Sequence, residues 1–128
     1  MPKVVHFEIP VDDLDRAKAF YGDVFGWDLQ TIPMPGMGSY TTVTTTPVDP
    51  DTLLPTEPGA INGGMTERGT STPTPVVTVD VDDLDAALRT VQAAGGQTVT
   101  SRTDIAGMGA FAYVTDSEGN VVGLWQAS

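Results

Sequence analysis

His6 and Glu8 lie two residues apart in the strand-like run Val4 to Pro10. Successive side chains of an extended chain point to opposite faces, so this imidazole and carboxylate project from the same one. A carboxylate facing a largely apolar cleft beside an imidazole can give or take a proton, which makes metal-free proton transfer on a small carbonyl compound conceivable. Two plainer roles stand beside that one. Glu8 also suits a structural partner for Arg102, Lys3 or a nearby hydroxyl, and His6 suits a hydrogen-bonded side chain within the cleft. His6 is the only histidine and the chain has no cysteine. Disulfides, thiol nucleophiles, zinc-thiolate sites and iron–sulfur clusters are therefore excluded, and a tetrahedral zinc site is hard to assemble. The chain also lacks a P-loop, a dinucleotide glycine fingerprint, a nucleophile elbow and a helical His-Glu zinc motif.

The elements that position these residues follow from a repeat. Val11-Asp12-Asp13-Leu14-Asp15 recurs as Val81-Asp82-Asp83-Leu84-Asp85, seventy positions later. Gly36-Met37-Gly38-Ser39-Tyr40 recurs in kind as Gly107-Met108-Gly109-Ala110-Phe111, at an offset of seventy-one. Matching order and spacing indicate duplicated units with one inserted residue. Each unit opens with a strand, Val4 to Pro10 or Val76 to Val81. The aspartates that follow suit helix starts, where carboxylates accept from free backbone N–H groups. Leu14, Ala17, Phe20, Tyr21 and Val24 then recur at helical spacing, as do Leu84, Ala87, Leu88, Val91 and Ala94. Gly26 and Gly95-Gly96 end the two helices.

Short β-branched and aromatic runs come next. Trp27 to Thr31, Tyr40 to Thr46 and Ala60 to Met65 suit strands in the first unit, and Gln97 to Ser101, Ala110 to Thr115 and Asn120 to Gln126 in the second. The expected fold class is α+β, two tandem βαβββ modules whose curved sheets enclose a central cleft. One domain spans 1–128, with module one at about 1–66, a linker at about 67–75 and module two at about 76–128. Pro47 to Gly59 reads as a surface loop and Asp116 to Asn120 as a tight turn.

A sheet covered by a helix on one face must cover its other face too, and two such modules do so around a shared cleft, the natural ligand site. The cleft-lining candidates are Tyr40, Met65, Thr78, Phe111 and Trp125, with His6 and Glu8 as the catalytic candidates. Met37 and Met108, in the two glycine loops, suit the mouth of an apolar pocket. At the offset of seventy, His6 and Glu8 correspond to Val76 and Thr78. A symmetric histidine-based metal site is thereby ruled out.

The formal net charge is −11, so the basic footprint of a nucleic-acid or anionic-membrane binder is absent. The acidity fits either an ordinary acidic cytosolic protein or one from a salt-loving organism. No apolar run approaches the roughly 20 residues that span a bilayer, and the expectation is a soluble, cytoplasmic protein.

The run His6-Phe7-Glu8-Ile9-Pro10-Val11-Asp12-Asp13-Leu14-Asp15-Arg16-Ala17, continued by Phe20-Tyr21 and Val24-Phe25-Gly26-Trp27, resembles the opening signature of the vicinal oxygen chelate superfamily's glyoxalase and bleomycin-resistance group. Asp116-Ser117-Glu118-Gly119-Asn120-Val121-Val122-Gly123-Leu124-Trp125 resembles its final hairpin, so the resemblance covers essentially the whole chain. It implies the paired βαβββ fold and, often, a homodimer. Function is less specified, because the superfamily includes lyases, isomerases, epimerases, ring-cleaving dioxygenases and antibiotic-sequestering proteins. Its metal enzymes take His, Gln or Glu ligands from the first and fourth strands of each half. His6 matches, but Ala60 to Met65 holds no carboxylate, Val76 stands at the third position and Gly123 at the fourth. The resulting expectation is a protein that binds a small, partly apolar molecule without a complete metal site. The alternative is a glyoxalase-like lyase or isomerase using Glu8 and His6, with a divalent ion held weakly by them and by water.

Overall fold

The computed structural model describes residues 1–34 and 36–128. The chain runs β1 (Val4–Val11), α1 (Leu14–Phe25), β2 (Asp28–Met34), β3 (Gly38–Thr44), β4 (Gly63–Glu67), β5 (Val76–Asp80), α2 (Leu84–Ala93), β6 (Gln97–Ile105), β7 (Gly109–Thr115) and β8 (Val121–Ala127). This is βαβββ twice. The two modules join edge to edge through antiparallel pairing of β1 with β5. That makes one curled eight-stranded sheet in the order β2-β3-β4-β1-β5-β8-β7-β6.

The duplicated residues perform duplicated tasks. Asp13 and Asp83 are the N-caps, each in an extended conformation and each accepting from a first-turn N–H at 3.0 Å, from Arg16 and Ala86 respectively. The two Gly-Met-Gly segments close the β2–β3 and β6–β7 hairpins, with Met37 N–H donating to Met34 and Met108 N–H donating to Ile105. Met37 and Met108 are exposed at these tips.

Strand alternation divides the sheet into two faces. One carries the helices and the core: Leu84, Ala110, Ala112, Val114 and Leu124 are buried together, with Val79, Leu88 and Val91 packed against them. α1 sits less deeply. Its half-buried line is Leu14, Ala17 and Tyr21, and the Tyr21 ring stacks on Trp27 at 5.3 Å. Phe20 and Val24, expected on the buried stripe, lie one residue round the helix and are each 55% exposed. The strand bounds also differ from expectation. β4 begins at Gly63 because Asn62 has another task, its amide accepting from the backbone N–H groups of Thr45 and Thr46 and donating to the Thr46 carbonyl.

Candidate functional site

Register fixes what shares the helix-free face. His6 lies opposite Thr78 on β5, Thr78 opposite Gly123 on β8, and Gly123 opposite Tyr113 on β7. One step along β1, Glu8 lies opposite Gly64 on β4, which lies opposite Thr42 on β3. Tyr40, two residues from Thr42, therefore shares the face, as do Trp125 and its register partner Phe111. The structure thus brings His6, Glu8, Tyr40, Thr78, Phe111 and Trp125 to one surface. Met65 is not among them. It pairs with Ile9 and Thr41, so its parity is opposite to that of Glu8, and it is buried on the helix side.

Glu8 is the centre of this surface, at only 6% exposed. The Tyr40 hydroxyl lies 3.2 Å from Oε1 and 3.1 Å from Oε2, and His6 Nε2 lies 3.0 Å from Oε1. His6 Nε2 is also 3.0 Å from the Tyr40 oxygen. Among the described residues, the side-chain partners of Glu8 are these two. Arg102 is engaged elsewhere, with Asp85 and Asp104.

Burial first, and then the negative charge of Glu8 and the hydrogen bond to it, hold the Tyr40 phenol above its ordinary value. Burial and the same charge raise Tyr113. Both phenols therefore keep their protons, and that of Tyr40 is donated to Glu8. Tyr113 was not among the candidates read from the sequence. Its signal was present in Gly109–Thr115, where Phe111 and Tyr113 alternate with the small or apolar Ala110, Ala112 and Val114.

Two glycines shape the site. A Cβ on Gly64 would overlap the Tyr40 hydroxyl, so its absence lets the phenol reach Glu8. A Cβ on Gly123 would come within 2.6 Å of the Thr78 hydroxyl.

The same geometry tests the metal set that the resemblance implies. Level with His6 and Glu8, the neighbouring strands offer Thr78, Val76, Gly64 and Gly123, and among the described residues no three His, Cys, Asp or Glu side chains converge. Thr78 crowds the space in which a side chain at position 123 would start. These residues do not fit a divalent ion held by three or four protein ligands.

A family description for the N-terminal region of bleomycin resistance protein-like proteins matches residues 3–46. A glyoxylase-like domain-containing protein of Didymella fabae is 31% identical over 124 residues, covering 88% of this chain and 84% of its own. The chain belongs to the vicinal oxygen chelate superfamily. Within that superfamily it is also similar to CFP32 of Mycobacterium tuberculosis, named as a candidate glyoxylase, at 34% identity over 122 residues and 94% of this chain. The chain spans 44% of the length of CFP32. Among vicinal oxygen chelate structures, methylmalonyl-CoA epimerase from Mycobacterium tuberculosis superposes with a TM-score of 0.61 over 98% of this chain and 87% of that one, at 19% identity. That likeness supports the fold. No helix among the described residues is long and apolar enough to cross a membrane.

Proposed function

We propose that this glyoxalase-like protein binds a small, partly apolar molecule on the helix-free face of its sheet, through protein groups alone. The observation that carries this reading is the buried Glu8, whose hydrogen-bond partners His6 and Tyr40 share its face with Phe111, Tyr113 and Trp125. A few placed polar groups beside aromatic surface are the kind of lining that small-molecule sites have. A homodimer, implied by the family, is part of the proposal. Light scattering should give a mass of two chains, and a mass of one chain would overturn that part.

The tryptophans supply the test of binding. Trp125 lies on the proposed face, whereas Trp27 packs with Phe7, Tyr21 and Phe25 on the other side of the sheet. Titration with acetophenone, followed by NMR, should move the Trp125 indole N–H resonance saturably and leave that of Trp27 in place. Movement of neither, or of both alike, would count against the site.

The second reading is proton transfer by Glu8 and His6. It is favoured by their direct contact and by the accessibility of His6, whose side chain is 31% exposed against 8% for Glu8. In D2O, the same titration would then show deuterium entering the acetophenone methyl group, and Glu8→Gln would stop that uptake while keeping affinity. Equal loss of affinity and uptake would return Glu8 to a binding role.

A further inference from the structure

We propose that the Tyr113 hydroxyl is the donor that recognises a ligand's carbonyl oxygen, and that the ligand class is therefore neutral, partly apolar ketones and aldehydes. This rests on the small-molecule reading above and adds to it an anchoring residue and a functional group.

Tyr113 and Tyr40 stand on the same face, on strands from different modules, and they differ in one respect. The Tyr40 hydroxyl is committed to Glu8 and His6. The Tyr113 hydroxyl makes no hydrogen bond among the described residues, although its side chain is only half-exposed. No buried side-chain polar atom among the described residues lacks a partner. The Tyr113 oxygen is therefore open to solvent or ligand rather than sealed in the protein. Like the Thr78 hydroxyl and the Trp125 indole N–H on the same face, it is a donor with no hydrogen-bond partner among the described residues, and it stands among the aromatic rings of that face.

Its surroundings aim it. The register partner of Tyr113 on β8 is Gly123, which has no side chain to stand beside the ring on the side towards Thr78 and His6. On its own strand, Phe111 meets it edge to face, with ring centroids 5.8 Å apart and planes at 72°. Phe111, Tyr113 and Trp125 thus form an apolar wall carrying one hydroxyl.

Charge selects the acceptor. Glu8 acts on Tyr113 through its negative charge, so a ligand oxygen that met this hydroxyl would feel the same field. The whole chain carries a formal net charge of −11. A carboxylate or phosphate would be repelled by both, whereas a neutral carbonyl oxygen accepts a hydrogen bond without that penalty.

The experiment compares acetophenone with α-methylstyrene, in which a CH2 group replaces the oxygen and the shape is kept. NMR titrations are run on the whole chain and on Tyr113→Phe. α-Methylstyrene is the more apolar of the two, so the native ratio of the two affinities combines that difference with the hydrogen bond, and the change in the ratio isolates the bond. Tyr113→Phe should weaken acetophenone relative to α-methylstyrene about five-fold, the effect expected of one neutral hydrogen bond, while leaving α-methylstyrene affinity within about two-fold. The substitution removes no hydrogen bond among the described residues, and a second readout needs no variant. The carbonyl stretch of acetophenone should shift to lower frequency in the native complex. A ratio that Tyr113→Phe leaves unchanged overturns the assignment while the small-molecule site stands. Failure of both probes to bind overturns the site and this inference together.

Discussion

Gly64→Ala is expected to dismantle the Glu8 cluster from a position that carries no chemistry of its own. The added methyl would overlap the Tyr40 hydroxyl and lie 2.8 Å from Cε2 of the same ring. A phenol ring is rigid, so its hydroxyl moves only if the whole ring swings, and that breaks its contacts with both Glu8 oxygens and with His6. Crowding of this kind costs about 1–3 kcal/mol. Leaving a buried carboxylate short of a donor adds about 1–3 kcal/mol. Urea unfolding should register the loss, and acetophenone binding should weaken with it. The control is the same change in a Tyr40→Ala background. With the ring gone, alanine at position 64 should be neutral or stabilising, because the Gly64 backbone is not among those with a positive φ and a glycine within a strand gains from a side chain. An equal loss in both backgrounds would sink the steric argument.

How far this site could be read beforehand depends on whether each relation is local. His6 and Glu8 share a face by simple alternation, and the Asp13 and Asp83 caps follow from an exact repeat, so both were legible. Tyr40 reaching Glu8 is a contact across 32 residues that depends on the missing side chain of Gly64. No local pattern announces it. Met65 was misplaced because β4 starts at Gly63 and its register is set by β1 and β3, so its parity was undetermined until those pairings were known. Phe20 and Val24 fit a helical stripe, but spacing does not tell how much of a stripe a sheet will cover, and here only its Leu14, Ala17 and Tyr21 part is half-buried. The joining of the modules into one sheet follows from β1 pairing with β5, a relation between the two copies that duplication alone leaves open.

The same cluster should make the fold sensitive to alkali. Tyr40 is held above its ordinary value of 10.0 by burial, by the charge of Glu8 and by the hydrogen bond between them. Tyr113 is raised by burial and by that charge. For a group whose folded value is raised, the unfolded chain releases its proton first. Stability is therefore undiminished below pH 10.0 and falls as pH rises above it, while the folded phenol keeps its proton. One such group contributes a slope of up to about 1.4 kcal/mol per pH unit. Tyr40, the more deeply buried of the two, should approach that limit, and Tyr113, partly open to solvent, should contribute less. Urea unfolding between pH 9 and pH 11.5 should show the decline. General charge repulsion in this acidic chain steepens the curve in every variant alike, so the diagnostic quantity is the difference in slope. Tyr40→Phe should be shallower above pH 10 by about 1.4 kcal/mol per unit, even though it has lost its bond to Glu8 and starts from a lower stability at neutral pH. Equal slopes would mean that the phenol ionises as readily in the folded protein as in the unfolded chain, and that Glu8 does not hold it neutral.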